Sequence, residues 1–155
     1  MIDAVQDPRH ALQEAGLRAT AQRITVLQVL RDGPGHQSVD DVTEKVRSRL
    51  GTVSQQAVYD VLGALTSAGL VRRIEPAGRP ALFECRVSDN HHHVVCRGCN
   101  AIADIDCVVG AAPCLDASDT HGFLLDEAEI TFWGLCPECQ ARQPTEVSAG
   151  RRKTS

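Results

Sequence analysis

The sequence predicts an α+β protein in two parts, an N-terminal winged helix-turn-helix and a smaller C-terminal α/β domain built around a four-cysteine zinc site. Three observations predict it. Apolar residues keep helical spacing up to Gly69, a strand-turn-strand pattern follows at once, and two C-x-x-C pairs bracket a strand-rich remainder.

The elements follow in order. Thr20 before the Ile24, Leu27, Leu30 stripe marks a helix N-cap, and Gly33-Pro34-Gly35 stops that helix. Ser38, with Asp41 three residues on, reads as a capping box for a second helix through Val39, Val42, Val46 and Leu50. Ser54 caps a third, whose apolar face is Ala57, Val58, Val61, Leu62 and Leu65, and which closes at Gly69. The runs Leu70 to Glu75 and Ala81 to Cys85 flank a Pro- and Gly-containing turn, so they form a hairpin. Helices ending in a hairpin are the winged variant of the helix-turn-helix, in which the last helix enters the major groove. A plain helical subdomain is the alternative on pattern alone. Strands are expected at His93–Cys96, Ala101–Cys107 and Phe123–Leu135. The boundaries are a domain over residues 1–85, a hinge over 86–90, a second domain over 91–142, and a polar tail over 143–155 expected to be disordered.

At 155 residues the chain can bury only thin cores, so an additional staple is expected. The net charge of -4 is uneven along the chain. Residues 1–84 carry 10 Lys/Arg against 10 Asp/Glu, residues 85–145 carry 3 against 9, and Arg9, Arg18, Arg23 and Arg31 share a stretch whose only acid is Glu14. That stretch can present a basic face to a polyanion, or be merely solvated. Nothing resembles a secretory leader or a membrane span, which leads us to expect a soluble, cytoplasmic protein.

Cys96-Arg97-Gly98-Cys99 and Cys136-Pro137-Glu138-Cys139 each offer two thiolates from a tight turn, and together complete a closed tetrahedral zinc shell. A closed shell has no position for water, so this metal stabilises rather than catalyses; a redox dithiol is the rival. Cys85, Cys107 and Cys114 are expected to be small buried hydrophobes. In a strand, His91 and His93 share one face and His92 takes the other. Two imidazoles make half a metal site, for which Glu84, Asp89, Asp104 and Asp106 supply nearby oxygens; mixed nitrogen and oxygen ligands suit iron or manganese. Three adjacent histidines can also be plain surface, and His36, beside a turn, reads on its own as a solvated loop residue.

Five segments together resemble the ferric uptake regulator (Fur) family: Leu17 to Arg23, His36 to Val42, Ser54 to Leu62, Asn90 to Cys99, and Trp133 to Cys139. The runs Asp104 to Cys107, Pro113 to Leu115 and Asp126 to Glu129 look most like the FurA/CatR branch, regulators of catalase-peroxidase genes. The resemblance implies a homodimer, through the C-terminal domain, that represses transcription by binding an inverted-repeat double-stranded DNA operator when loaded with metal. It implies structural Zn2+ on Cys96, Cys99, Cys136 and Cys139, and regulatory Fe2+ or Mn2+ on His36, Glu84, His91, His93 and Asp104. A further family site is expected to be lost, because Asn90, His92, Ala111 and Ala128 occupy its positions. Ser54, Gln55, Gln56 and Tyr59 are candidates for groove and phosphate contacts, and Arg18 and Arg23 for the DNA backbone. Family members often carry Arg where this chain has Asp60. Asp104 follows the peroxide-sensing pattern and Glu84 the iron-sensing one, so peroxide control is the expectation and iron-dose sensing the alternative. From other classes, a zinc-stabilised protein-interaction module and a zinc enzyme are the competitors; no nucleophile and base accompany the histidines to support the latter.

Overall fold

In the computed structural model the described residues are 7–76, 78–87, 91–106, 119–124 and 130–142. Two compact units divide the chain, residues 1–90 and 91–155. The fold is α+β.

The first unit runs α1 (Pro8–Glu14), α2 (Ala21–Asp32), β1 (Gln37–Ser38), α3 (Val39–Leu50), α4 (Gln55–Ser67), β2 (Arg72–Ile74) and β3 (Leu82–Glu84). Local chemistry sets the helix starts. The Thr20 hydroxyl accepts from the Arg23 N–H, Ser54 accepts from Ala57, and Ser38 and Asp41 form the reciprocal capping box. Leu12, Leu27, Val42, Val46, Leu62, Leu65 and Phe83 are buried in one cluster that joins every helix to the sheet. Each large side chain of this kind contributes roughly 1.5–3 kcal/mol. The hairpin forms as expected, with Arg73 opposite Phe83.

Three details differ from the sequence expectation. A helix precedes the first one expected: Asp7 caps it, Pro8 opens it, and it buries Ala11 and Leu12. The hairpin gains a third strand, β1, which pairs antiparallel with β3 through Gln37 and Phe83. Leu50 is exposed, because it ends α3 just before Gly51 turns the chain at positive φ.

The second unit has β4 (His91–Cys96), β5 (Ile102–Asp106), β6 (Thr131–Gly134) and α5 (Pro137–Arg142). Its sheet has the order β5-β4-β6, antiparallel on one side of β4 and parallel on the other. Of the strand expected over Phe123–Leu135, Thr131–Gly134 form β6, whereas Phe123 and Leu124 lie outside any strand and 125–129 are outside the described residues. Phe123 and Leu124 follow a turn at His121 and Gly122, both at positive φ, and are exposed. Cys107, Cys114, Asp89, Asn90, Ala111, Ala128 and the tail lie outside the described residues. Among the described residues no helix is long and apolar enough to cross a membrane.

Candidate metal centres and nucleic-acid face

Four sulfurs gather in the second unit. Cys96 ends β4, Cys99 closes the turn after it, Cys136 precedes α5 and Cys139 lies within it; their Sγ atoms all lie within 4.8 Å of one another. Cys99 and Cys136 sulfurs are 3.5 Å apart, close to the roughly 3.8 Å edge of a tetrahedron with metal–sulfur bonds of about 2.3 Å. No disulfide links them. Gly98 is required by space, since a Cβ there would lie 2.9 Å from the Cys139 sulfur.

Backbone N–H groups of Cys136, Cys99 and Gly98 point at the Cys96 sulfur from 3.3, 3.5 and 3.3 Å. Led by the Cys136 and Cys99 amides, they bring its thiol down to about 6. Cys139 is pushed up to about 12, first by its hydrogen bonds with Cys99 and Cys136, because crowded sulfurs resist ionising together. A dication removes that conflict. The all-sulfur set therefore fits zinc. Cys85 is a different kind of thiol: it packs against the core of the first unit, where burial above all pushes it up to about 11 and leaves it inert.

The same unit holds an imidazole and carboxylate group. Alternation along β4 buries His91 and His93 on one face, their rings 4.9 Å apart edge to face. The register sets Asp104 of β5 opposite His93, and its Oδ1 lies 3.9 Å from His91 Nε2 and 3.7 Å from His93 Nε2. Those distances are too long for good hydrogen bonds and suit three donors facing one ion. His92 turns the other way and lays its ring against Phe132.

In the first unit His36 Nε2 lies 2.9 Å from Glu84 Oε2, and both side chains are buried. The pairing of β1 with β3 creates this contact, since it carries the residue before Gln37 to the residue after Phe83. A carboxylate so buried needs a compensating positive charge, which a bound metal can supply. Sequence reasoning took His36 for a loop residue until the family resemblance was considered, because a two-residue strand leaves no periodic signal.

The expected nucleic-acid contacts also take definite places in the first unit. Ser54, Gln55, Gln56 and Tyr59 occupy the start and exposed face of α4. The last three line a cavity of about 400 Å³ together with Arg73 of β2 and residues that open α3. The Arg73 guanidinium sits 6.0 Å from the Tyr59 ring centre, a contribution from the hairpin that sequence reasoning missed. Arg23 donates from Nη1 to the Arg18 carbonyl at 3.2 Å, fixing the segment that leads into α2.

The ferric uptake regulator family model matches residues 14–132. This chain belongs to the ferric uptake regulator family. It is 54% identical over 138 residues to the transcriptional regulator FurA of Mycobacterium tuberculosis (strain ATCC 25618 / H37Rv), covering 89% of this chain and 93% of that protein. Ferric uptake regulation protein 1 of Mycolicibacterium fortuitum is 57% identical over 122 residues, with 79% and 75% covered. The structure of the ferric uptake regulator from Pseudomonas aeruginosa with manganese superposes with a TM-score of 0.64 at 26% identity, covering 85% of this chain and 99% of that one. This Fur-family chain is thus a FurA-like transcriptional regulator, not an enzyme.

Proposed function

We propose that this Fur-family regulator is a metal-dependent repressor that binds an inverted-repeat DNA operator as a cytoplasmic homodimer and releases it when peroxide rises. Its targets are oxidative-stress genes of the catalase-peroxidase kind. In this reading α2 to β3 form a winged helix-turn-helix over residues 1–85, with α4 as the recognition helix and the hairpin as the wing. Residues 86–90 are the hinge and 91–142 the dimerisation domain. Zn2+ on Cys96, Cys99, Cys136 and Cys139 braces that domain.

The observation that carries the reading is the convergence of His91, His93 and Asp104 across one strand pair. Nitrogen and oxygen donors of this kind hold Fe2+ or Mn2+ reversibly, unlike the sulfur set. His36 and Glu84 supply two more donors of the same chemistry. On the family resemblance we assign all five to one regulatory ion, whose loading selects a DNA-competent dimer. An Fe2+ ion held by these residues would supply a reducing electron for peroxide, and the imidazoles beside it would be the groups exposed to that chemistry. His91 and His93 are the imidazoles at hand. Asp104 in place of a longer Glu follows the peroxide-sensing pattern of the family.

Glu84 favours the second reading, an iron-dose sensor, because it follows the pattern of iron-sensing members. Operator binding by protein loaded with Fe2+ or with Mn2+, measured before and after peroxide, separates the two. Release of the iron form alone is expected. Equal retention of both forms would leave iron-dose sensing as the function.

A further inference from the structure

Two carboxylates sit on the face assigned to DNA, where each costs attraction to phosphate. Both are engaged. Asp40, in the first turn of α3, accepts a hydrogen bond from Gln55 Nε2, and Asp60 accepts one from Gln56 Nε2 at 2.8 Å along the same face of α4. The two glutamines are the first residues of α4, and both are exposed.

A free glutamine amide can present either its NH2 or its carbonyl to a ligand. A carboxylate only accepts hydrogen bonds, so an amide paired with one must turn its NH2 group toward it. Its carbonyl oxygen then faces the other way. Among the described residues neither Gln55 Oε1 nor Gln56 Oε1 accepts a hydrogen bond, and both residues line the same cavity as Tyr59 and Arg73.

Resting on the DNA-binding reading above, we propose that Asp40 and Asp60 are positioning residues that clamp Gln55 and Gln56 with their carbonyl oxygens leading, and so select bases that present an amino group. In the major groove adenine N6 and cytosine N4 are donors, whereas guanine O6 and thymine O4 are acceptors. An amide that leads with its carbonyl accepts from the first pair and is repelled by the second. At Asp60 the chain thus holds an acid that orients Gln56, one turn earlier, as an acceptor.

The test is a binding selection from a randomised operator library, using the full-length, metal-loaded dimer. Wild type is expected to enrich adenine or cytosine at two positions in each half-site. Asp60→Ala is expected to lose at least about five-fold discrimination at one of them and Asp40→Ala at the other. Overall affinity should hold or rise, because a negative charge has gone. Asp40→Asn keeps an acceptor oxygen and should reproduce the wild-type profile, which separates the clamp from any effect on the start of α3. Profiles of Asp40→Ala and Asp60→Ala that superimpose on wild type, with operator binding intact, overturn the clamp and leave the repressor reading standing. Absence of any salt-dependent DNA binding by wild type overturns the repressor reading and the clamp with it.

Discussion

The four-sulfur cluster and the imidazole–carboxylate group share one small sheet unit but are built by different means. Two tight turns bring the sulfurs together, one at the end of β4 and one before α5, and backbone amides and the space left by Gly98 shape the pocket. The imidazoles are placed by strand alternation and strand register instead. One set is all sulfur, the other mixed nitrogen and oxygen. The difference teaches that one small unit can separate soft sulfur donors from nitrogen and oxygen donors, the separation on which the proposed reading of one retained and one exchangeable ion depends.

The largest expected effect breaks the comparison on the sulfur side. Cys96→Ser removes a ligand of an ion whose binding is worth on the order of 10 kcal/mol in small zinc domains. Zinc content measured by atomic emission should fall to zero, and the second unit should lose its cooperative thermal transition. On the other side, His91→Ala combined with His93→Ala should leave one zinc per chain in place, with melting lowered by the loss of two buried side chains, while operator affinity in Mn2+ drops ten-fold or more in a fluorescence-anisotropy titration. A loss of zinc in this variant would show the two groups to be one. Gly98→Ala should have an intermediate effect, because its Cβ meets the Cys139 sulfur, and overpacking of this kind costs about 1–3 kcal/mol. Competition with a zinc chelator should show the weakened site.

The smallest effect is expected in the first unit, at the cap of α3, away from the four sulfurs. Hydrogen bonds from the Ser38 side chain, then its backbone, hold the Asp41 carboxyl below its ordinary value. That contribution is present above the unfolded-state value and is lost as pH falls through the lower folded one. Ser38→Ala should cost about 1 kcal/mol in denaturant melts at neutral pH and flatten the acid limb of the stability curve, with zinc content unaffected.

Legibility followed the range of the interaction. Helix starts at Thr20, Ser38 and Ser54 and the two cysteine pairs are local patterns, and each took the form read from the sequence. The alternation of His91 and His93 was legible for the same reason. His36 was not, because its meeting with Glu84 depends on β1 and β3 pairing across more than forty residues. The Asp40 and Asp60 contacts were missed too, since one joins two helices and the other looks like any exposed i, i+4 pair. At Phe123 and Leu124 apolar content alone was misleading, because the preceding turn leaves both in solvent.

The central claim is that the two donor groups do separate work, and a chelator titration followed simultaneously by zinc content and operator binding tests it most directly. The account predicts that operator binding is lost at a chelator strength that leaves one zinc per chain in place, and that added Mn2+ restores it. Loss of zinc and of binding in a single step, with no recovery in Mn2+, would contradict it.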